Sequence, residues 1–190
     1  ILTGITNASE IVSKSGGGTV YGLQSSFARI NYRLLDKYLL TLTGRYDGSS
    51  RLAKGNKWDF FPSVALAWRI NSEPFMQNVD VISNLKMRLS WGNTGNTAID
   101  SYSTLGAFSK YPYVMGIGEE SAMGYLPKEL SNPSLGWERT EEYNVGFDFG
   151  FFRNRIEGTV DLYRRDTHDL LMKRLLPITT GYNETWQNIG

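Results

Sequence analysis

The sequence predicts an all-β fold, and more specifically a segment of the wall of an antiparallel transmembrane β-barrel. Three observations support this prediction. Apolar and polar residues alternate with a period of two, which is the side-chain period of a β-strand. The apolar face of this alternation is free of charge, and short connections alternate with long ones along the chain. Outer-membrane barrels combine these features, because one face of each strand meets lipid and the other meets a polar lumen.

About six strands follow from the alternation, at 24–33, 38–47, 60–70, 85–95, 140–151 and 156–166. In the central part of each, one parity holds no charged residue and is mostly apolar or aromatic. The other parity holds the charges Arg29, Arg33, Arg45, Asp47, Arg69, Lys86, Arg88, Asp148, Glu157 and Asp161. The alternation therefore assigns opposite parities to two different environments.

The apolar parity is predicted to face lipid at Leu40, Leu42, Val64, Leu66, Leu89, Val145, Phe147, Val160 and Leu162. The polar parity is predicted to point charged side chains into the lumen at Arg45, Arg69, Arg88, Asp148 and Asp161. A charge in a narrow lumen needs a partner. We expect Arg88 and Asp148 to pair, because their strands are consecutive among the six predicted ones.

The connections and the aromatic residues support the same topology. Residues 34–37 and 152–155 are tight turns, whereas 48–59 and 96–139 are long connections. Aromatic residues lie near the ends of the apolar faces, where a barrel meets the lipid interface: Tyr32, Tyr38, Tyr46, Trp68, Trp91 and Tyr143. The intermediate segment 71–84 is predicted to hold a helical turn that starts near Ser72, with that side chain as the cap and Pro74 in the first turn.

Composition excludes several kinds of site. The chain has no cysteine, and its formal charge of +1 gives no nucleic-acid footprint. The single histidine, His168, is interpreted as an exposed residue at the base of a loop. Adjacent carboxylates such as Glu141 and Glu142 point to opposite faces of a strand and cannot converge on one bond. The sequence thus predicts no enzyme, and no catalytic, cofactor or metal site.

Alternation alone leaves two other architectures open. A soluble β-sandwich, for instance a carbohydrate-binding module, also has one apolar and one polar face. A small self-contained outer-membrane barrel of about eight strands would arise if 1–20 and 170–190 each added one strand.

Several motifs, in order along the chain, resemble the barrel wall of SusC/RagA-type TonB-dependent transporters. They are YLLTLTGRYDGSSR at 38–51, FPSVALAWRI at 61–70, EPF at 73–75, LKMRLSWGNTGN at 85–96, NPSLGWE at 132–138 and YRRDTHDLL at 163–171. The sequence departs mildly from the family pattern at two positions. The family often has a second basic residue at the position of Tyr46 and often has Tyr at the position of Trp91.

The resemblance implies that residues 1–190 are part of one β-barrel domain of a plugged, 22-stranded barrel, with the plug and the TonB box outside this chain. It implies a location in the bacterial outer membrane and contact with membrane lipid. It also implies active import of an oligosaccharide or peptide. The implied partners are a SusD-like surface lipoprotein and the TonB energy-coupling system, and no cofactor is implied.

Residues 96–136 are predicted to form an external loop whose aromatic residues contact cargo or a partner. A structureless connection of this length is usually functional or disordered, and this one is too apolar for disorder. The alternative is that it folds on itself into a hairpin extending the barrel wall. The candidate contact residues are Tyr102, Phe108, Tyr111, Tyr113, Tyr125 and Trp137.

Overall fold

The computed structural model describes residues 18–115 and 120–190 of the chain. These residues form ten strands, together with short 3-10 helices at Ile70–Ser72, Pro74–Met76, Ser103–Leu105 and Ile178–Thr180. The strands are β1 (Leu23–Leu34), β2 (Tyr38–Ser49), β3 (Trp58–Arg69), β4 (Ile82–Asn96), β5 (Ala107–Met115), β6 (Glu120–Leu130), β7 (Glu138–Phe151), β8 (Ile156–His168), β9 (Leu170–Leu175) and β10 (Glu184–Ile189). None of the helices in this part of the chain has the length and apolarity that a membrane crossing needs.

Six strands form one sheet in the order β1-β2-β3-β4-β7-β8, and all neighbours are antiparallel. These are the six predicted strands, so the predicted all-β, antiparallel architecture is confirmed. β4 pairs directly with β7 over its whole length. The segment between them therefore leaves the sheet at one end and returns to the same end.

The cross-strand register places the apolar and the polar residues of the sequence alternation on opposite faces of the sheet. One row across it runs Ile30, Leu42, Val64, Trp91, Tyr143 and Arg164, and the next row runs Arg29, Thr43, Ser63, Gly92, Glu142 and Arg165. Residues of one row share a face because side chains alternate along each strand. All nine residues predicted to face lipid lie on the apolar face, and the five predicted luminal charges lie on the polar one.

Aromatic residues border the apolar face at both ends. On β2 they are Tyr38 and Tyr46, and on β7 they are Phe151 and Tyr143. The cross-strand register, however, aligns Tyr143 of β7 with Leu42 of β2 and not with the border residue Tyr46. The aromatic borders therefore run obliquely to the strands. On each of these strands the two border aromatics are eight residues apart, which is about 27 Å along the strand. A strand tilt of about 40° would reduce their separation along the membrane normal to about 20 Å. This is close to the height of about 25 Å of the apolar band of an outer-membrane barrel.

The connection between β4 and β7 is not a structureless loop, so that prediction is wrong in its detail. β5 and β6 form an antiparallel hairpin, as in the alternative left open above, but it does not extend the barrel wall. It belongs to a second sheet in the order β5-β6-β10-β9, in which β10 pairs briefly and in parallel with β6. The alternative of a small closed barrel is also wrong. It required residues 170–190 to add one strand to the wall, whereas these residues form β9 and β10 of the second sheet.

A small hydrophobic core lies at the end of the sheet that carries the long connections. It consists of Leu52, Ala53, Phe61, Ile99, Leu135 and Trp137, with Leu171 and Trp186 packed against it. β3 pairs with β4 only as far as Ser63 opposite Gly92. Beyond this point Phe61 approaches Gly95 so closely that a side chain on Gly95 would overlap its ring.

The opposite end of the sheet carries the short connections. Leu35 and Asp36 form the β1–β2 turn with left-handed backbone angles of 52° and 55°. The β3–β4 connection (residues 70–81) contains two 3-10 helices, and Pro74 starts the second, as predicted. The predicted cap is wrong: Glu73 occupies the cap position and no side chain caps the backbone. The carboxylate of Glu73 has other partners, described below.

Candidate functional site

The polar face of the sheet carries an ion-pair network centred on Arg88 of β4. The Arg88 Nε and Nη2 atoms donate to Asp148 Oδ2 and Oδ1 of β7 at 3.0 and 2.9 Å. The Nη2 atom also donates to Asp161 Oδ1 of β8 at 3.1 Å. Thr159 Oγ1 donates to Asp148 Oδ1 at 3.1 Å, and Lys86 Nζ lies 3.9 Å from Asp148 Oδ2. The expected Arg88–Asp148 contact is therefore present, and it joins three adjacent strands.

Gly146 makes room for this network. It lies between Arg88 and Asp161 in register, two residues from Asp148 and on the same face. A Cβ atom at this position would overlap Asp161 Oδ1 and would lie 2.8 Å from Arg88 Nη2. The sequence alternation identified the charges but gave no role to this glycine. Its role follows only from the register, which sets it directly beneath the guanidinium.

The polar face continues towards the long connections as a concave wall. Arg165 of β8 donates to Glu142 Oε2 of β7 through Nε at 2.9 Å and Nη2 at 2.6 Å. Arg45 donates to Asp47 Oδ2 at 2.6 Å, and Asp47 Oδ1 is buried without a partner among the described residues. A cavity of about 410 Å³ lies on this wall, and its lining includes Arg29, Thr43, Arg45, Ser63, Ser90 and Glu142. Such a lining offers hydrogen-bond donors and acceptors to a polar solute.

Among the described residues, one of the five predicted luminal charges lacks an ion-pair partner. Within residues 18–115 and 120–190 Arg69 forms no ion pair, so its predicted pairing stays a prediction. The same residues contain no group of three or more His, Cys, Asp or Glu that could hold a metal ion.

Two glutamates hold aromatic residues on the apolar face, and sequence analysis missed both. At the short-turn end, Tyr38 Oη donates to Glu73 Oε1 at 2.8 Å, and Trp68 Nε1 donates to the same oxygen at 3.1 Å. At the long-connection end, Trp91 Nε1 and Tyr143 Oη donate to Glu141 Oε1 at 2.7 and 2.9 Å. Each glutamate thus satisfies the polar atoms of one Trp and one Tyr.

The Glu73 carboxylate is the more enclosed of the two, with a residue exposure of 8%. Lys37 Nζ donates to its second oxygen at 3.0 Å. The hydrogen bond from Tyr38, followed by those from Trp68 and Lys37, lowers the pKa of Glu73 below its ordinary value. The carboxylate therefore stays charged and keeps three partners in place.

The aromatic residues predicted to contact cargo or a partner fall into two groups. Tyr102, Phe108, Tyr111, Tyr113 and Tyr125 are all more than half exposed. Trp137 is buried, so its assignment as a contact residue is wrong. Its ring packs edge-on against Phe61 with centroids 5.3 Å apart, and its Nε1 donates to the Lys57 carbonyl at 3.1 Å. The core at the base of the long connections, which the sequence did not reveal, explains this burial.

A protein-family model described as TonB dependent receptor-like, beta-barrel, matches residues 3–190 of the chain. Among curated proteins, the chain is 44% identical over 176 residues to TonB-dependent receptor SusC of Bacteroides thetaiotaomicron. That alignment covers 88% of this chain and 17% of SusC. A TonB-dependent receptor of Formosa agariphila is 39% identical over 170 residues, covering 90% of this chain and 17% of the receptor.

The sheet is also similar to solved structures. The RagAB peptide importer in its closed-closed state superposes with a TM-score of 0.79 at 32% identity, covering 90% of this chain and 18% of that one. In the open-open state the TM-score is 0.77 at 30% identity, covering 94% and 20%. The chain thus spans about a fifth or less of the relatives that it matches.

A double-mutant cycle tests the stabilisation by the Arg88 network. Arg88→Met and Asp148→Asn should couple by about 1–3 kcal/mol, because each single change breaks a bidentate ion pair between partly buried groups. The measurement is urea unfolding of the full-length protein in detergent. As a control, Arg33→Met and Asp36→Asn should couple by less than about 0.5 kcal/mol, since that pair is solvent-exposed. Equal coupling in both cycles would contradict the stabilising role.

Acid should destabilise the protein partly through Glu73. Because its pKa is lowered on folding, its stabilisation is complete above the ordinary value near 4.5 and is lost as the pH falls through the lowered value. We expect Glu73→Gln to have a lower Tm than the native protein at about pH 6, with the difference shrinking as the pH falls below 4.5. Asp80→Asn, a change at an exposed carboxylate of the same connection, is the control. A Tm difference that does not vary with pH would refute this.

Proposed function

This chain belongs to the TonB-dependent receptor-like β-barrel family, and from that premise we propose that it is part of the wall of a nutrient importer. The protein lies in the bacterial outer membrane, as members of this family do. Its family consists of receptors and transporters rather than enzymes. We assign this chain the task of separating lipid from a polar lumen.

The observation that carries this proposal is the division of one six-stranded sheet into a face that is apolar across its middle and an ion-paired face. The charged residues of the apolar face, such as Glu141 and Arg164, lie at its long-connection end. A membrane barrel needs this division, because lipid offers no hydrogen-bond partners to charged groups. In a soluble sandwich the apolar face would pack against a second sheet. None of the nine residues proposed to face lipid belongs to the buried core, and Leu66, Val160 and Leu162 are 49, 50 and 67% exposed. This supports the barrel over the sandwich.

We place the Arg88 network and the cavity beside Arg45 on the luminal side. In the complete protein, Arg45, Arg69, Arg88, Asp148 and Asp161 then face a plug that lies outside this chain. Paired charges suit a narrow lumen, where an isolated charge would be costly. Residues 3–190 match one family model throughout, which supports a single barrel domain for the chain.

We propose that the complete importer draws in an oligosaccharide or a peptide using the TonB system, and works with a SusD-like surface lipoprotein. SusC and the RagAB peptide importer are the relatives that motivate these assignments. The exposed aromatics of the β5–β6 hairpin suit contact with cargo or the lipoprotein, because aromatic rings bury large areas in binding surfaces. Tyr102 lies just before this hairpin and is equally exposed.

Uptake by whole cells tests the proposed function. Cells that carry the full-length protein should deplete a defined mixture of oligosaccharides and peptides, and cells lacking it should not. Uptake should stop when a protonophore removes the proton gradient that powers TonB. Depletion that continues without the gradient would refute active import.

Leu42 and Thr41 are adjacent residues of β2 and report on opposite faces of the sheet. Leu42→Arg should cost about 2–4 kcal/mol, because it puts a cation at the middle of the lipid-facing band. We expect less protein in the outer membrane and a lower temperature for the heat-induced shift in gel mobility. Thr41→Arg, on the polar face, is the control. Equal effects of the two substitutions would contradict the orientation of the wall.

Removing the exposed aromatics of the β5–β6 hairpin should weaken function without disturbing the barrel. Replacing Phe108, Tyr111, Tyr113 and Tyr125 with Ser should reduce cargo uptake or lipoprotein co-purification at least about tenfold, the effect of losing two or three aromatic contacts. Ile178→Ser, at a 91% exposed site in the same sheet's connection, is the control. If both measurements stay unchanged, the hairpin has no contact role.

A further inference from the structure

The β3–β4 connection (residues 70–81) lies on the apolar side of the sheet rather than on the polar side. Tyr38 and Trp68 both belong to the apolar face, and both donate to Glu73 of this connection. Their rings stack with centroids 6.3 Å apart. The stacked pair therefore sets the position of Glu73 relative to the end of the sheet. The connection therefore lies just beyond the aromatic border of the proposed lipid-facing band.

Large apolar side chains are exposed along this connection and on the neighbouring β7–β8 turn. Phe75 is 64% exposed, and Val79, Val81 and Phe152 are exposed as well. The two segments are joined, because the Phe152 amide donates to the Val81 carbonyl at 2.9 Å. The Arg153 amide donates to Ser83 Oγ at 2.7 Å. The apolar residues thus belong to one connected surface, which we call the rim surface: Phe75, Val79, Val81, Phe152, Arg153 and Arg155.

The rim surface is amphipathic. Arg153 and Arg155 are exposed, and neither forms an ion pair within the described parts of the chain. The backbone here is unusual, since Phe152, Arg153 and Asn154 all have left-handed φ angles, of 52°, 59° and 60°. Glycine or asparagine suits such positions better than phenylalanine or arginine. Strained backbone that keeps a Phe and an Arg at a turn tip indicates a use for these side chains.

We infer that the rim surface binds phospholipids of the membrane leaflet on the short-turn side. In this assignment Phe75, Val79, Val81 and Phe152 enter the boundary between acyl chains and headgroups, and Arg153 and Arg155 bind lipid phosphates. The inference rests on the proposed membrane orientation of the wall. It extends the lipid contact beyond the strands to a segment outside the sheet.

Three features favour lipid over a protein partner. The rim surface continues the apolar face past Tyr38 and Trp68, so lipid already bounds it on one side. Its apolar residues adjoin the two cations of the β7–β8 turn, as in segments that lie in the membrane interface, and the one carboxylate among them is Asp80. Free guanidinium groups complement the phosphates that every phospholipid carries. A plug inside the lumen would meet the polar face instead.

Spin labelling of the full-length protein in phospholipid bilayers tests the location of the rim surface. A label at Phe75→Cys should collide more with oxygen, which is enriched in lipid, than with a water-soluble nickel complex. A label at Leu66→Cys, within the proposed band, should give a lipid signal, and one at Asn56→Cys, on the exposed β2–β3 connection, an aqueous signal. An aqueous signal at position 75, or shielding from both reagents by a protein partner, overturns the inference. An aqueous signal at position 66 would instead overturn the membrane orientation.

The phosphate contacts have a separate test. The full-length protein is released from vesicles of phosphatidylethanolamine and phosphatidylglycerol, and the phospholipids that it retains are counted by native mass spectrometry. Arg153→Gln combined with Arg155→Gln should at least halve the number retained. Arg174→Gln, at an exposed arginine on β9 of the second sheet, should leave the number unchanged. Equal retention by all three proteins would overturn the phosphate role of Arg153 and Arg155.

Discussion

Continuous antiparallel register from β1 to β8 is the constraint on which the rest of the structure depends. A shift of one residue in any strand pair would exchange the two faces of the strand. It would bring Arg45 or Arg88 to the apolar side and Leu42 or Leu89 to the polar side. The same register aligns Arg88, Gly146 and Asp161 in one row. The ion-pair network and the apolar face are therefore two consequences of one pairing pattern.

The network in turn favours this register over its alternatives. Gly146 stands between Arg88 and Asp161, where a Cβ atom would lie 2.8 Å from Arg88 Nη2 and would displace the contact between the two side chains. Apolar matching alone tolerates shifts of two residues, since parity is preserved. Such a shift would break the bidentate contact of Arg88 with Asp148 or its contact with Asp161. The charge network therefore disfavours these shifts, which hydrophobic patterning does not.

The sequence predicted what depends on local periodicity and missed what depends on distant contacts. Six strands and the polar parity of ten charged residues followed from the alternation, because it repeats every second residue. Glu141 of β7 and Arg164 and Asp166 of β8 lie on the apolar parity and depart from that pattern. The burial of Trp137 did not, since its partner Phe61 and its acceptor Lys57 are far away in the chain. Glu73 and Glu141 were missed for the same reason. The β5–β6 hairpin was hidden by prolines and glycines that weaken its alternation, at Pro112, Gly124 and Pro127.

The base of the long connections and the short-turn end of the sheet treat apolar residues differently, although the β5–β6 hairpin of the long connection also exposes aromatic residues. At the long-connection end, Leu52, Leu135 and Phe61 are almost fully buried in a core of their own. At the short-turn end, Phe75 and Phe152 are exposed, although the Phe152 backbone and the 3-10 helix that contains Phe75 are hydrogen-bonded. A segment surrounded by water gains by burying such residues, and a segment at a lipid interface does not need to. The asymmetry thus matches a wall whose long connections rise into water while its short turns stay at the membrane surface.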